Sequence, residues 1–288
     1  MNLTLADGRT LQWTDNGIES TSTLVFHHGT TIAMDVWDVW LKAAAEKGVR
    51  AIALNRPGVH HSTRNVGRRI IDDVADAREL LQHLNIESFV AVGWSGGGAR
   101  ALGSGLIENC RAIHTIAGIS PMNPDDPSTY AGMSEERIEQ TRKFLADYSE
   151  IVRVRGESFE DDVKMTEEMA LEFLSQLPNF ASFENDYRDF ARDFTACVLN
   201  ALMQGVEPDA DDYLGNISPW GFELTEITKP VTVWHGDVDD DVIVSRGEYN
   251  HEHLPHSRFH RLEGQGHISI MVEARAEILN AAIESLGV

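Results

Sequence analysis

Cysteine is nearly missing from this 288-residue chain, which has two, Cys110 and Cys197. Two thiols cannot frame a disulfide-stapled fold, and the simplest setting for them is a reducing one, the cytoplasm. Positive charge is also scarce. Lys and Arg number 24 against 46 Asp and Glu, a net charge of −22 with histidine neutral. Such a field repels nucleic acid, anionic membrane surfaces and polyanionic substrates, so the expected partner is a small molecule, with self-association left open. No apolar run nears the roughly 18–20 residues that cross a bilayer. The opening Met1-Asn2-Leu3-Thr4-Leu5-Ala6-Asp7-Gly8 has no basic region and no long apolar stretch, so no signal peptide is expected. Repeats, low-complexity tracts and Ser/Gly linkers are absent too. What remains is 42% hydrophobic and 24% charged, the make-up of a globular chain with a sizeable core.

Short apolar runs alternate with helical patterns. Leu3 to Leu5 and Thr10 to Trp13 read as β, with a turn at Asp7-Gly8 between them. Thr23 to His27, Val49 to Leu54, Phe89 to Val92 and Ala112 to Ala117 read as buried strands. Asp72 to Leu84 has Val74, Ala77, Leu80, Leu81 and Leu84 on one helical face, and Gly96 to Ile107 reads as a helix rich in small residues. This alternation predicts a mostly parallel α/β sheet covered on both faces.

Over residues 121–205 the alternation stops and the chain turns helical and acidic. Ser134 before Glu135-Glu136 and Thr166 before Glu167-Glu168 read as helix starts, with acids near the positive end of the helix dipole. Phe183, Tyr187, Phe190, Phe194, Val198 and Leu202 share one face. The α/β pattern resumes with a strand from Val231 to His235, a helix near Ser245 to His253, a strand from Arg258 to Leu262 and a final helix from about Ser269 to Leu286. The expected organisation is one α/β core, residues 1–120 and 206–288, interrupted by a helical cap, 121–205.

The chemistry concentrates at three places. Gly93-Trp94-Ser95-Gly96-Gly97 is a G-x-S-x-G match between a buried strand and a helix, where a tight turn thrusts the serine hydroxyl above the sheet. The plain alternative for Ser95 is a helix N-cap in a glycine-rich turn. A serine needs a base and an orienting acid. Gly264-Gln265-Gly266-His267 is a glycine-bounded loop able to project His267 toward another strand end. Four acids, Asp237, Asp239, Asp240 and Asp241, follow the strand ending at His235, and any of them fits an orienting role or a solvated loop. They lack the spacing of a calcium loop, so no metal is expected.

The order Ser95, acid, His267 resembles the α/β-hydrolase superfamily, close to its capped esterase, haloperoxidase-like and lactonase-like branch. The resemblance covers about residues 1–120 and 206–288. His27-His28-Gly29-Thr30 resembles the family's oxyanion strand end. Asn55-Arg56-Pro57-Gly58-Val59-His60-His61-Ser62 is similar to a family loop that usually opens with Asp and has Gly where His60 stands. The family's Gly-x-x-Asp-x-x-Val pattern falls on Gly236, Asp239 and Val242. The resemblance therefore implies Asp239 as the acid, and backbone N–H groups of Thr30 and Gly96 as the oxyanion hole. It implies no cofactor.

The expected function is a serine hydrolase acting on a small, mostly apolar ester, thioester or lactone. His28, Thr31, Trp94, Phe183 and Tyr187 are expected along the substrate pocket, with Met133, Met165 and Met169 as further candidates. No Lys or Arg occurs in Phe26–Ile32, Val92–Gly98 or Gly264–Ile270, so an uncharged substrate is expected. The same triad also serves cofactor-free haloperoxidases, perhydrolases, C–C hydrolases, lyases and low-turnover sensors. Epoxide hydrolases and dehalogenases of this fold need Asp where Ser95 stands.

Overall fold

The computed structural model describes residues 1–123 and 126–287. Residues 124 and 125 of the expected cap and residue 288 of the expected core lie outside them. Eight strands form one sheet: β1 (Asn2–Thr4), β2 (Thr10–Asp15), β3 (Ser22–His27), β4 (Ala51–Leu54), β5 (Ser88–Trp94), β6 (Cys110–Ile116), β7 (Val231–Gly236) and β8 (Ser257–Leu262). Their order is β1-β2-β4-β3-β5-β6-β7-β8; β1 and β2 pair antiparallel to their neighbours and the rest run parallel.

The helices are α1 (Asp38–Glu46), α2 (Ile70–His83), α3 (Gly96–Ser104), α4 (Glu135–Ala146), α5 (Tyr148–Asp162), α6 (Glu167–Leu174), α7 (Glu184–Ala201), α8 (Val206–Ile217), α9 (Val244–His253), α10 (Ser269–Glu273) and α11 (Arg275–Leu286). Among the described residues none is long and apolar enough to cross a membrane.

The middles of β3, β4 and β5, Leu24–Phe26, Ala51–Leu54 and Phe89–Val92, are apolar without interruption because both faces are covered. Side chains alternate between them. Val90, Val92 and Trp94 of β5 join Phe26, Trp37, Trp40 and the inner face of α11 in one core cluster; Phe89 and Ala91 join Val25, Ile52 and the buried faces of α2 and α3 in the other. α1 and the turn before it, Met34–Trp37, add an element that the periodicity does not announce. Trp37 and Trp40 anchor it, their ring centroids 5.2 Å apart, with Phe26 4.7 Å from Trp37. The final helix expected from about Ser269 is split, α10 ending and α11 beginning on either side of Ala274.

Among the described residues five α-helices, α4–α8, lie between β6 and β7. Ser134 and Thr166 cap α4 and α6 as expected, accepting from the N–H groups of Arg137 and Met169. These helices do not share one core. Phe144, Ile151, Ala210 and Ile217 of α4, α5 and α8 form a small cluster of their own. Ala170 and Leu174 of α6, with Tyr187, Phe190, Ala191, Cys197, Val198 and Ala201 of α7, are buried in the same cluster as one face of the sheet. The apolar stripe of α7 thus holds α6 and α7 to the sheet.

Candidate active site

Ligands of parallel α/β sheets gather at the carboxyl ends of the strands, and here the ends of β3, β5, β7 and β8 converge. β5 enters α3 through Ser95, whose φ of 55° and ψ of −124° are strained for a residue with a Cβ. The Ser95 N–H donates to the Ile116 carbonyl at 3.0 Å, and its own carbonyl accepts from the Gly98 N–H at 2.9 Å, which holds the turn. Glycine is required two residues to either side: a Cβ on Gly93 would strike the Gly97 carbonyl, and one on Gly97 the His27 carbonyl of β3. The loop after β3 lies against the serine. A Cβ built on Gly29 would stand 3.3 Å from that of Ser95, and one on Gly96 would strike Thr30 Oγ1.

β7 and β8 bring the acid and the histidine together. His267 Nδ1 donates to Asp239 Oδ2 at 2.8 Å, while Asp239 Oδ1 accepts from the N–H groups of Asp241 at 3.0 Å and Val242 at 2.8 Å. Asp239 is buried, so the bond to His267 is shielded from water. The neighbouring acids are occupied or exposed: Asp237 accepts from the Gly264 N–H at 2.8 Å, and Asp240 and Asp241 face solvent. With Nδ1 on Asp239, His267 Nε2 is the nitrogen left to accept a proton, and it has no hydrogen-bond partner among the described residues. The Trp94 indole N–H donates to the His267 carbonyl at 3.1 Å and its ring lies 5.3 Å from the imidazole, which fixes the loop.

Ser95 and His267 share the wall of a cavity of about 560 Å³, without a direct hydrogen bond between them. Thr30, Thr31 and Trp94 line it, as do Met133 and Met165. Three residues expected there sit elsewhere. His28 is fully buried behind the loop after β3, where its Nδ1 donates to the Gly29 carbonyl at 2.9 Å and its Nε2 accepts from the Arg56 N–H. Tyr187 is drawn into the core and donates its hydroxyl to Glu273 at 2.6 Å; Phe183 packs on that same core. From the α7 face it is Phe194 and Val198 that reach the cavity. Met169 is exposed. Phe26–Ile32, Val92–Gly98 and Gly264–Ile270 bring no Lys or Arg to the cavity, but Arg137, Arg155 and Arg246 join its wall from α4, α5 and α9.

Beneath the site lies a buried charge cluster without a local sequence signal. Arg56, Arg68 and Arg100 surround Asp73 and Asp212. Asp212 Oδ1 accepts from Arg56 Nε at 2.8 Å, Arg68 Nη2 at 2.7 Å and Arg100 Nη2 at 3.0 Å. Burial by itself would raise the Asp212 pKa, but the charges of Arg56, Arg100 and Arg68 hold it well below the usual carboxylate range. Burial lowers Arg100 to about 10 against the attraction of both aspartates. Burial, with the charges of Arg56 and Arg100, lowers His27 to about 3, and His28 is likewise pushed well down, so both rings are neutral. The cluster reaches the site through carbonyls. Arg56 Nη2 donates to Gly29 at 2.7 Å, and Arg100 Nη1 donates to Gly96 at 2.9 Å.

Among the described residues no group of three His, Cys, Asp or Glu side chains is arranged to hold a metal ion.

A family profile described as the alpha/beta hydrolase fold matches residues 22–274, and the chain belongs to that family. Its relatives include a bifunctional esterase/perhydrolase of Acinetobacter calcoaceticus, 30% identical over 251 residues that cover 84% of this chain and 82% of the relative. A non-heme chloroperoxidase of Burkholderia pyrrocinia is 24% identical over 253 residues, again 84% of this chain and 82% of the other. Among solved structures, an esterase from Exiguobacterium antarcticum matches with a TM-score of 0.72 at 17% identity, over 100% of this chain and 99% of that one, a likeness of fold. The chain is an enzyme of the α/β-hydrolase type, in the branch that holds esterases and haloperoxidases.

Proposed function

We propose that this enzyme is a serine hydrolase that cleaves small carboxylic esters, thioesters or lactones with largely apolar bodies, through an acyl-enzyme on Ser95. One juxtaposition carries the reading: the Asp239–His267 pair, bonded at 2.8 Å, opens on the same cavity as Ser95 at its strained turn. His267 Nε2 takes the Ser95 proton as Oγ attacks the carbonyl carbon. Catalytic hydrogen bonds are often long in an unliganded site and tighten with substrate. The tetrahedral oxyanion accepts from the Thr30 and Gly96 N–H groups. The alcohol or thiol leaves with the proton from His267, and water repeats the sequence to release the acid. Each oxyanion donor is worth about 3–4 kcal/mol of barrier.

Arg56 and His28 assist this from behind. Both donate to the Gly29 carbonyl, the other edge of the peptide whose N–H belongs to Thr30. Pulling on that carbonyl fixes the peptide plane and strengthens the N–H as a donor. We read the helices between β6 and β7 as a cap that closes the cavity around a substrate. We assign the enzyme to the cytoplasm, on two buried cysteines, neither in a disulfide.

A fluorophosphonate probe tests the mechanism. Wild type should be labelled and should hydrolyse a panel of p-nitrophenyl esters, whereas Ser95→Ala should do neither while keeping its melting temperature. Labelling of Ser95→Ala at the wild-type rate would remove Ser95 as nucleophile. The esterase/perhydrolase relative supports a second outcome, in which hydrogen peroxide replaces water on the acyl-enzyme and leaves as a peracid. Peracid formation from an ester and peroxide that is lost in Ser95→Ala is its signature.

A further inference from the structure

Resting on the hydrolase reading above, we propose that Arg246 and Arg137 form a carboxylate subsite, and that the substrate is an ester or lactone with an apolar body and one free carboxylate.

Arg246 is 5% exposed and lies in the wall of the cavity that holds Ser95 and His267. Four arginines are buried among the described residues. Three of them, Arg56, Arg68 and Arg100, share the carboxylates of Asp73 and Asp212. Arg246 has no carboxylate within 4.0 Å among the described residues. Among the described residues its guanidinium makes one hydrogen bond, from Nη1 to the Thr129 carbonyl, and Nη2 is buried with no partner. A buried charge without a counter-ion is costly. It is unexpected in a chain with 46 acids against 24 bases.

The second cation adds to the imbalance. Arg137, also in the cavity wall but exposed, donates Nη2 to the Asp241 carbonyl at 2.7 Å and Nη1 to the Asp240 carbonyl at 3.4 Å, and pairs with no carboxylate among the described residues. Burial, and then the charge of Arg137, lowers the pKa of Arg246 to about 10, so it stays protonated at neutral pH. Arg155, the third arginine of the wall, is already neutralised by Asp209 at 2.6 Å. Two carboxylates line the cavity as well, Asp162 and Asp241, and neither forms an ion pair with Arg137 or Arg246. An anionic group from outside completes this site.

The chemistry selects the ligand. A guanidinium with free N–H donors matches a planar carboxylate, while the net charge of −22 works against polyanions. Met133, Ile243 and Ile268 of the wall suit a short methylene chain between the carboxylate and the scissile carbonyl. The carboxylate itself is unchanged by the reaction.

The test compares kcat/KM for the monoethyl ester of adipic acid and for ethyl hexanoate, in wild type, Arg246→Met, Arg246→Lys and Arg137→Gln, at low and high salt. Wild type should prefer the anionic ester, and Arg246→Met should cut that preference about 10–100-fold, chiefly through KM, the span expected for charge-assisted hydrogen bonds. Arg246→Lys, which keeps the charge but not the fork, should fall between. Arg246→Met should melt no lower than wild type, because it removes an unpaired buried charge; a purely structural arginine would lower the melt. Binding of adipate by calorimetry reads the subsite without turnover and should weaken in Arg246→Met. Equal use of both esters by wild type, an unchanged preference in Arg246→Met, or adipate binding indifferent to the substitution would each overturn the proposal. Competition by inorganic phosphate but not by adipate would overturn the carboxylate assignment. Failure of the hydrolase reading looks different: no fluorophosphonate labelling and no turnover of either ester.

Discussion

Replacing Asp212 by Asn removes one of two negative charges from the buried cluster and leaves Arg56, Arg68 and Arg100 facing Asp73 alone. Asp212 accepts four hydrogen bonds from these arginines, at 2.7–3.0 Å. Removing one partner of a buried ion pair typically costs about 3–5 kcal/mol, because the other charge stays buried and uncompensated. For a chain of this size roughly 2–4 °C of melting temperature goes with each kcal/mol, so Asp212→Asn should melt roughly 6–20 °C below wild type. The effect depends on pH in a defined direction. The native pKa of Asp212 is depressed. Its stabilisation is therefore complete above the unfolded value of about 3.9 and is lost as pH falls through the native value. The gap between wild type and variant should be full at pH 7 and shrink only in strong acid. A second consequence concerns catalysis. Arg56 loses its anchor and with it the hold on the Gly29 carbonyl, so kcat should fall when measured well below the melt. Calorimetry at several pH values and ester kinetics check both parts. A melting temperature within about 2 °C of wild type would refute the electrostatic argument. A lowered melt with kcat intact would refute the link to the Thr30 peptide.

Asp239→Asn should cost about 10³–10⁴ in kcat by spoiling the His267 tautomer, while Asp240→Asn and Asp241→Asn stay within a few-fold; steady-state kinetics on one ester decides this. Trp94→Phe loses the 3.1 Å bond to the His267 carbonyl and should lower kcat/KM by up to about 10-fold, the worth of one hydrogen bond, with the fold kept by circular dichroism. Burial pushes the Cys110 thiol up to about 12 and Cys197 well above its ordinary value, so neither should react with iodoacetamide at pH 8 until the protein is denatured, as mass spectrometry will read.

Strand–helix alternation, the turn at Ser95 and the loop of His267 are legible in the sequence because each is a local pattern. A strand buried on both faces is apolar throughout, and a serine thrust out of a tight turn needs small neighbours within two residues. The helix starts at Ser134 and Thr166 are local for the same reason. The residues alone leave Asp237, Asp239, Asp240 and Asp241 open; the family pattern points to Asp239, and the pairing itself rests on which carboxylate the β7 turn buries beside a histidine 28 residues further on. His28 and Tyr187 show the opposite case. Their sequence positions suit a pocket, yet both turn away, because the Gly29 carbonyl and Glu273 offer them hydrogen bonds on the far side. The charge cluster is the clearest instance of what tertiary structure alone decides. Arg56 and Asp212 are 156 residues apart, and nothing near either one marks it as buried. An arginine in water and an arginine in a protein interior are the same letter; the partners that make burial tolerable arrive only when distant segments fold onto one another.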